Sequence, residues 1–277
     1  MCFLCDIQTA RNQLTPQDER PQCLLEEGVN VLTHLFGIFY AIFIFKMFRR
    51  YAKKHNLNKM NNLAILCFCL ASFTLYFNST TYHLLNILLP NSICLRYFFQ
   101  RLDHITIYIM ISGCYLCFIF TRTFAKGYFK TGCLAIFIVV ALALIGFIFT
   151  IFAPPTTRTD VIMYLAMGWS CVLYGPLVFY FCPLSLVFYL LTGGISYAIG
   201  TIFVAWDQLF FNHGIWHLIV WFANFQHSLG VLIAIDDEEI KGLKQPWSVM
   251  KELFVEYISL STKNNDNVSH PSIQREE

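Results

Sequence analysis

The chain has 277 residues, of which 57% are hydrophobic and only 13% charged, and its formal net charge is +2 at pH 7. A soluble domain carries about 25% charged residues, so an ordinary water-soluble globule is excluded, and the near-neutral balance gives no electrostatic case for nucleic acid as a partner. The 11 cysteines are odd in number, and most sit inside apolar stretches, as Cys67, Cys69, Cys114, Cys117, Cys133, Cys171 and Cys182 do. That pattern reads as small buried hydrophobes rather than a disulfide framework.

Residues 1–25 are polar and hold Arg11, Asp18, Glu19 and Arg20, so no signal peptide is expected there. Seven apolar segments follow: Val29–Phe48, Asn62–Leu85, Asp103–Thr123, Gly132–Phe152, Val161–Phe181, Leu184–Trp206 and Asn212–Ile235. Each has about the 20 residues that a helix needs to cross a bilayer. An open sheet leaves its backbone unsatisfied in lipid, so these segments are expected to be helices. The predicted fold class is an all-α integral membrane protein, a seven-transmembrane-helix bundle over residues 26–236, multi-pass, with the membrane type left open. Pro90, Pro154–Pro155 and Pro183 fall in connections. Only Cys182–Pro183 separates the fifth segment from the sixth. The tail, 237–277, is polar, and Trp247, Leu253 and Phe254 suggest that part of it lies on the membrane surface. Lys and Arg concentrate after the first and third segments and in the tail, which by the positive-inside rule puts the C-terminus in the cytoplasm.

The polar residues inside these segments carry the chemistry. Ser79 and His83 close the second segment, Asp103 opens the third, and His213 and His217 open the seventh. If the segments alternate in direction, all five meet at one depth in one leaflet. His213 and His217 are four residues apart, so they share a helix face and can chelate one ion. Zinc takes imidazole nitrogen readily, and His83 is the natural third ligand. Ser79 lies one turn before His83, and Asp103 is placed to bind the metal or hold its water. The plainer readings are histidines that pack and hydrogen-bond, Asp103 as a helix N-cap or a partner of Arg101, and Ser79 bonded to its own helix. A second cluster, Glu26, Glu27, Asn30 and His34, opens the first segment; Glu26, Asn30 and His34, spaced by four, form a polar stripe that enters the membrane at the same face and is read first as helix-to-helix bonding. His227 lies about 15 Å deeper than His217 and is read as an interhelical hydrogen-bonding group. His104 and Tyr108 form a one-turn pair with no clear chemistry.

Taken in order, these residues form a pattern. Glu26-Glu27-Gly28-Val29-Asn30-Val31-Leu32-Thr33-His34, Ser79-Thr80-Thr81-Tyr82-His83, Leu102-Asp103-His104, Tyr164-Leu165-Ala166-Met167-Gly168-Trp169, Gly193-Gly194-Ile195-Ser196-Tyr197 and Asn212-His213-Gly214-Ile215-Trp216-His217 with His227 resemble the hemolysin III family, within the progestin and adipoQ receptor group that holds the adiponectin receptors. The resemblance implies a seven-helix bundle with zinc near the cytoplasmic face, held by His83, His213 and His217, with Asp103 and Ser79 beside the metal-bound water. It also implies a cytoplasmic N-terminus, the reverse of the Lys/Arg count. The sequence departs from the family pattern after Gly113, where Cys114-Tyr115-Leu116-Cys117 stands in place of a Thr-Tyr-Thr-Pro run. Three functions stay open at this stage: a zinc-dependent hydrolase of lipid amides resembling ceramidases, a receptor or scaffold with structural zinc, and a pore-forming or lytic protein. Membrane lipid is the expected partner, and a lipid the expected substrate.

Overall fold

The computed structural model describes residues 22–152, 157–174 and 180–235, with 248, 250–256 and 258–259 from the tail. Among the described residues, seven α-helices precede the tail: α1 (Leu24–Lys54), α2 (Lys59–Leu88), α3 (Ile93–Arg122), α4 (Phe129–Phe152), α5 (Thr157–Gly168), α6 (Leu184–Ala205) and α7 (Asn212–Ile235). Six of them, all but α5, are long and apolar enough to cross a membrane. The described residues contain no strand.

The first three helices outrun their apolar segments. Helix α1 has 31 residues, about 46 Å at 1.5 Å per residue, against a hydrocarbon core of about 30 Å. Its start is secured by Glu26, whose Oε2 accepts from the Cys23 N–H at 3.0 Å. Helix α2 starts on an N-cap, with Asn58 Oδ1 accepting from Asn61 N–H at 2.9 Å. Helix α3 begins at Ile93, so Asp103 lies ten residues inside it, and the N-cap reading of Asp103 is corrected. Arg101 sends its guanidinium to the Thr150 carbonyl at 2.6 Å and to Tyr97 Oη at 2.9 Å.

The fifth segment differs most from expectation. Helix α5 stops at Gly168 and gives way to a 3-10 turn, Ser170–Tyr174, instead of running on as one span. Ser170 Oγ bonds the Met167 carbonyl at 2.8 Å, and Tyr115 Oη donates to the Gly168 carbonyl at 2.8 Å, so side chains take up backbone groups at the break.

Large apolar side chains cover the outside of the bundle, among them Phe137, Ile148 and Phe152 on α4, as expected where lipid is the solvent. The interior is packed by Ile44, Phe48, Ile65, Phe68 and Leu232. Small residues set the closest approach, since a Cβ on Gly113 would collide with Ala71 of α2. Helix α3 passes through Gly113 unbroken. Polar pairs tie the first, second and seventh helices together. Asn224 Nδ2 donates to Tyr76 Oη at 3.0 Å and to Ser72 Oγ at 3.1 Å. Tyr40 Oη and Ser228 Oγ lie 2.7 Å apart. His227 meets the Leu190 carbonyl at 3.4 Å and Cys114 Sγ at 3.5 Å, an interhelical role.

In the tail, Leu253 is buried in the core, Phe254 sits edge-on to Phe43, and Lys54 pairs with Glu256 at 3.3 Å. This stretch therefore packs on the end of α1 rather than resting on lipid alone. Among the described residues Cys23, Cys67, Cys69, Cys114, Cys117, Cys133, Cys171 and Cys182 are free thiols, and Cys94 is disulfide-bonded. The polar segment 1–21, Pro154–Pro155, Trp247 and the last residues of the tail lie outside the described residues.

Candidate metal centre

Helices α2 and α7 bring His83, His213 and His217 together, with one potential ligand atom of each within 4.8 Å of the others. The ring of His83 lies 5.0 Å from that of His213 and 5.1 Å from that of His217, centroid to centroid. Zinc sits about 2.0–2.1 Å from an imidazole nitrogen, so a small inward turn of the rings lets one ion reach all three.

Hydrogen bonds fix which nitrogen of two of these rings faces the cluster. His83 Nδ1 lies 2.6 Å from Glu27 Oε2 of α1. A carboxylate only accepts, so Nδ1 carries the proton and Nε2 the lone pair. That Nε2 is buried and has no hydrogen-bond partner among the described residues. Glu27 is held in turn by Asn86 Nδ2 at 2.9 Å, and Asn86 Oδ1 accepts from Arg96 Nε at 2.7 Å. For His217, Nδ1 lies 3.0 Å from Thr33 Oγ1. The Thr33 hydroxyl directs its own hydrogen to the Val29 or Asn30 carbonyl, at 2.9 and 3.0 Å, so it accepts from His217. Both rings are thus held in the tautomer that turns Nε2 inward. A carboxylate behind a histidine is the usual support of a metal ligand, as it fixes the tautomer and raises basicity.

Ser79 and Asp103 line the same cavity as the three histidines. The Ser79 hydroxyl is buried and, among the described residues, has no hydrogen-bond partner of ordinary geometry, unlike Ser72 and Thr81, which bond back to carbonyls of their own helix at 2.9 and 2.7 Å. The reading of Ser79 as bonded to its own helix is therefore corrected. Asp103 is its neighbour across the cavity, although no hydrogen bond of ordinary geometry closes between them.

The stripe on α1 belongs to the site as well. Glu26 Oε1 accepts from the Phe211 N–H at 3.1 Å, which secures the turn that feeds α7. Phe211 has φ +61°, a left-handed conformation costly for a bulky residue. Asn30 Nδ2 reaches Gln22 Oε1 at 2.5 Å, and His34 stacks on His217. His104, without a clear role in the sequence, pairs with Asp160 of α5 at 2.7 Å. Glu27 stood in the polar cluster read from the sequence, but its pairing with His83 was not foreseen, because spacing by four drew attention to Glu26, Asn30 and His34.

Among the described residues, His34 Nδ1 and Nε2, Ser79 Oγ and His83 Nε2 are buried at this site without a hydrogen-bond partner. Each such atom costs about 1–3 kcal/mol when nothing satisfies it, so the group is held against a penalty of roughly the size of a whole domain's stability, ~5–15 kcal/mol. Concentration of that penalty at one place marks a ligand site. The cavity they face measures about 520 Å³. Its α3 wall runs from Asp103 through Ile107, Ile111 and Phe118 to Arg122, about 28 Å along the helix axis.

The order of these motifs along the chain is that of a known family. The family model for haemolysin-III related proteins matches residues 23–228. The chain belongs to the haemolysin-III related family. It is similar to "Hemolysin-3" of Bacillus cereus, with 33% identity over 205 residues, 72% of this chain and 87% of that protein. It is also similar to "Hemolysin-3 homolog" of Bacillus subtilis (strain 168), with 30% identity over 201 residues, 70% of this chain and 87% of that protein. The haemolysin-III match spans all five candidate residues and both α1 supports, Glu27 and Thr33.

Proposed function

We propose that this haemolysin-III protein binds one zinc ion through His83, His213 and His217 and hydrolyses a lipid amide of the ceramide type. The observation that carries the reading is His83, whose Nδ1 is tied to Glu27 while its buried Nε2 has no protein partner beside the His213–His217 pair. Buried imidazole nitrogens turned to a common point suit zinc better than calcium or magnesium, which take oxygen ligands. When bound there, zinc supplies a Lewis acid that acidifies water and polarises a carbonyl.

The protein's own groups supply the rest. The apolar length of the cavity binds an acyl chain and excludes bulk water from the reacting end. Asp103 accepts the proton of the attacking water at its carboxylate and returns it to the leaving amine. Ser79 Oγ, free of other bonds, donates to the carbonyl oxygen as negative charge develops on it. Glu27 and Thr33 hold two ligand rings in one tautomer throughout.

Elemental analysis of the detergent-purified protein tests the first half. About one zinc per chain is expected, and none in a His213→Ala/His217→Ala variant. Release of free fatty acid from ceramide-loaded liposomes by the zinc-replete protein tests the second, and its absence excludes that substrate. The name of the Bacillus relatives favours one rival, a lytic protein. Discrete conductance steps from purified protein in planar bilayers would support it over the hydrolase.

A further inference from the structure

We propose that His34 is a contact for the carboxylate or carbonyl oxygen of the ligand taken up at the histidine cluster, and not a fourth ligand of the metal. The proposal rests on the zinc reading above and adds a residue that touches the bound molecule.

His34 comes from α1, is buried, and lines the same cavity as His83 and His217. Its ring stacks on that of His217 with centroids 3.5 Å apart and 17° between the planes. The lone pairs of an imidazole lie in the ring plane. The lone pairs of two nearly parallel rings therefore lie in two separate, nearly parallel planes, and an ion in the plane of His217 lies well off the plane of His34. Stacking thus excludes the two as joint ligands of one ion, in agreement with a ligand cluster that omits His34. The same stacking keeps His34 beside the cluster, on the wall of the cavity that an incoming molecule would enter.

The hydrogen bonding points the same way. Among the polar members of the α1 stripe, Glu26 is satisfied by the Cys23 and Phe211 N–H groups, and Asn30 by Gln22. His34 alone has both ring nitrogens buried without a partner. Tyr76 closes on its other side, edge-on at 5.2 Å, so packing grips the ring on two sides while its nitrogens go unused. A packing residue here would be better served by Phe, because an imidazole pays desolvation of two polar atoms for the same contacts. An imidazole offers one N–H donor and one acceptor, and a carboxylate or carbonyl oxygen takes the donor.

The test uses cobalt-substituted, full-length protein in detergent, with octanoate as the probe and the visible spectrum of the metal as the readout. His34→Phe keeps the stacking and removes the nitrogens, and His34→Gln keeps a donor and an acceptor. Both variants are expected to retain about one metal per chain. Octanoate should bind His34→Phe about tenfold more weakly than wild type, the scale of one lost hydrogen bond, and His34→Gln should recover part of the loss. Octanoate affinity within twofold of wild type in His34→Phe reduces His34 to packing and overturns the proposal. Loss of metal from both variants makes His34 a ligand and overturns it as well. Metal-free wild-type protein defeats the zinc reading itself, and this result is read before octanoate is added.

Discussion

Glu27→Gln is the sharpest test of how the site is supported. Both oxygens of Glu27 act as acceptors, Oε2 for His83 Nδ1 at 2.6 Å and Oε1 for Asn86 Nδ2 at 2.9 Å. Glutamine has one acceptor oxygen and an amide that only donates. It can serve His83 or Asn86, and the amide then meets a second donor. Asn86 cannot flip to relieve the clash without turning its own amide toward Arg96 Nε, which now donates to Asn86 Oδ1 at 2.7 Å. The substitution therefore removes the charge behind His83 and disturbs the bond that sets its tautomer, while leaving side-chain volume unchanged. Loss of such a support weakens metal affinity about 10–100-fold, equivalent to ~1.4–2.8 kcal/mol. Competition for zinc against a chromophoric chelator in detergent reads this directly. Wild-type affinity in Glu27→Gln would refute the argument that Glu27 orients His83 for a metal.

Other substitutions separate the remaining roles. Asp103→Asn should keep the zinc and lower amide hydrolysis by about 10²–10⁴-fold, the usual range for a general base, measured as fatty acid release from liposomes. Ser79→Ala should also keep zinc and lower turnover by up to about 10²–10³-fold, as for a lost oxyanion donor, with little change in melting temperature. Gly113→Val places a side chain against Ala71 and should destabilise the bundle by about 1–3 kcal/mol through overpacking, seen as a lower thermal transition. Thr33→Val should weaken zinc binding less than Glu27→Gln, since a neutral hydroxyl supports His217 where a carboxylate supports His83.

Hydropathy and helical spacing made much of this architecture readable. The bounds of α7, Asn212–Ile235, coincide with its apolar segment because a polar turn precedes it. The four-residue spacing of His213 and His217 held because both lie within one regular helix. Asp103 was misplaced because hydropathy shifts at Leu102 while the helix had already begun at Ile93. A water-facing helix end carries no apolar signal, so only caps and turns reveal it. The break in α5 depends on side chains such as Tyr115 reaching from another helix to Gly168, and local sequence does not encode that. The pairing of Glu27 with His83 was not legible for a geometric reason. It is about 100° around α1 from Glu26, and which face looks toward α2 is decided by packing between helices.

The site joins the two ends of the chain. Thr33 and His217 are 184 residues apart, and Glu26 and Phe211 are 185 apart. A chain made from its N-terminus inserts α1 and α2 early, so His34, Ser79 and His83 are in the membrane before the helix that carries His213 and His217 has been made. The histidine cluster is thus completed only once α7 has joined α1 and α2. A chain stopped before Asn212 would leave Thr33 and His83 without the α7 histidines they meet in the folded bundle.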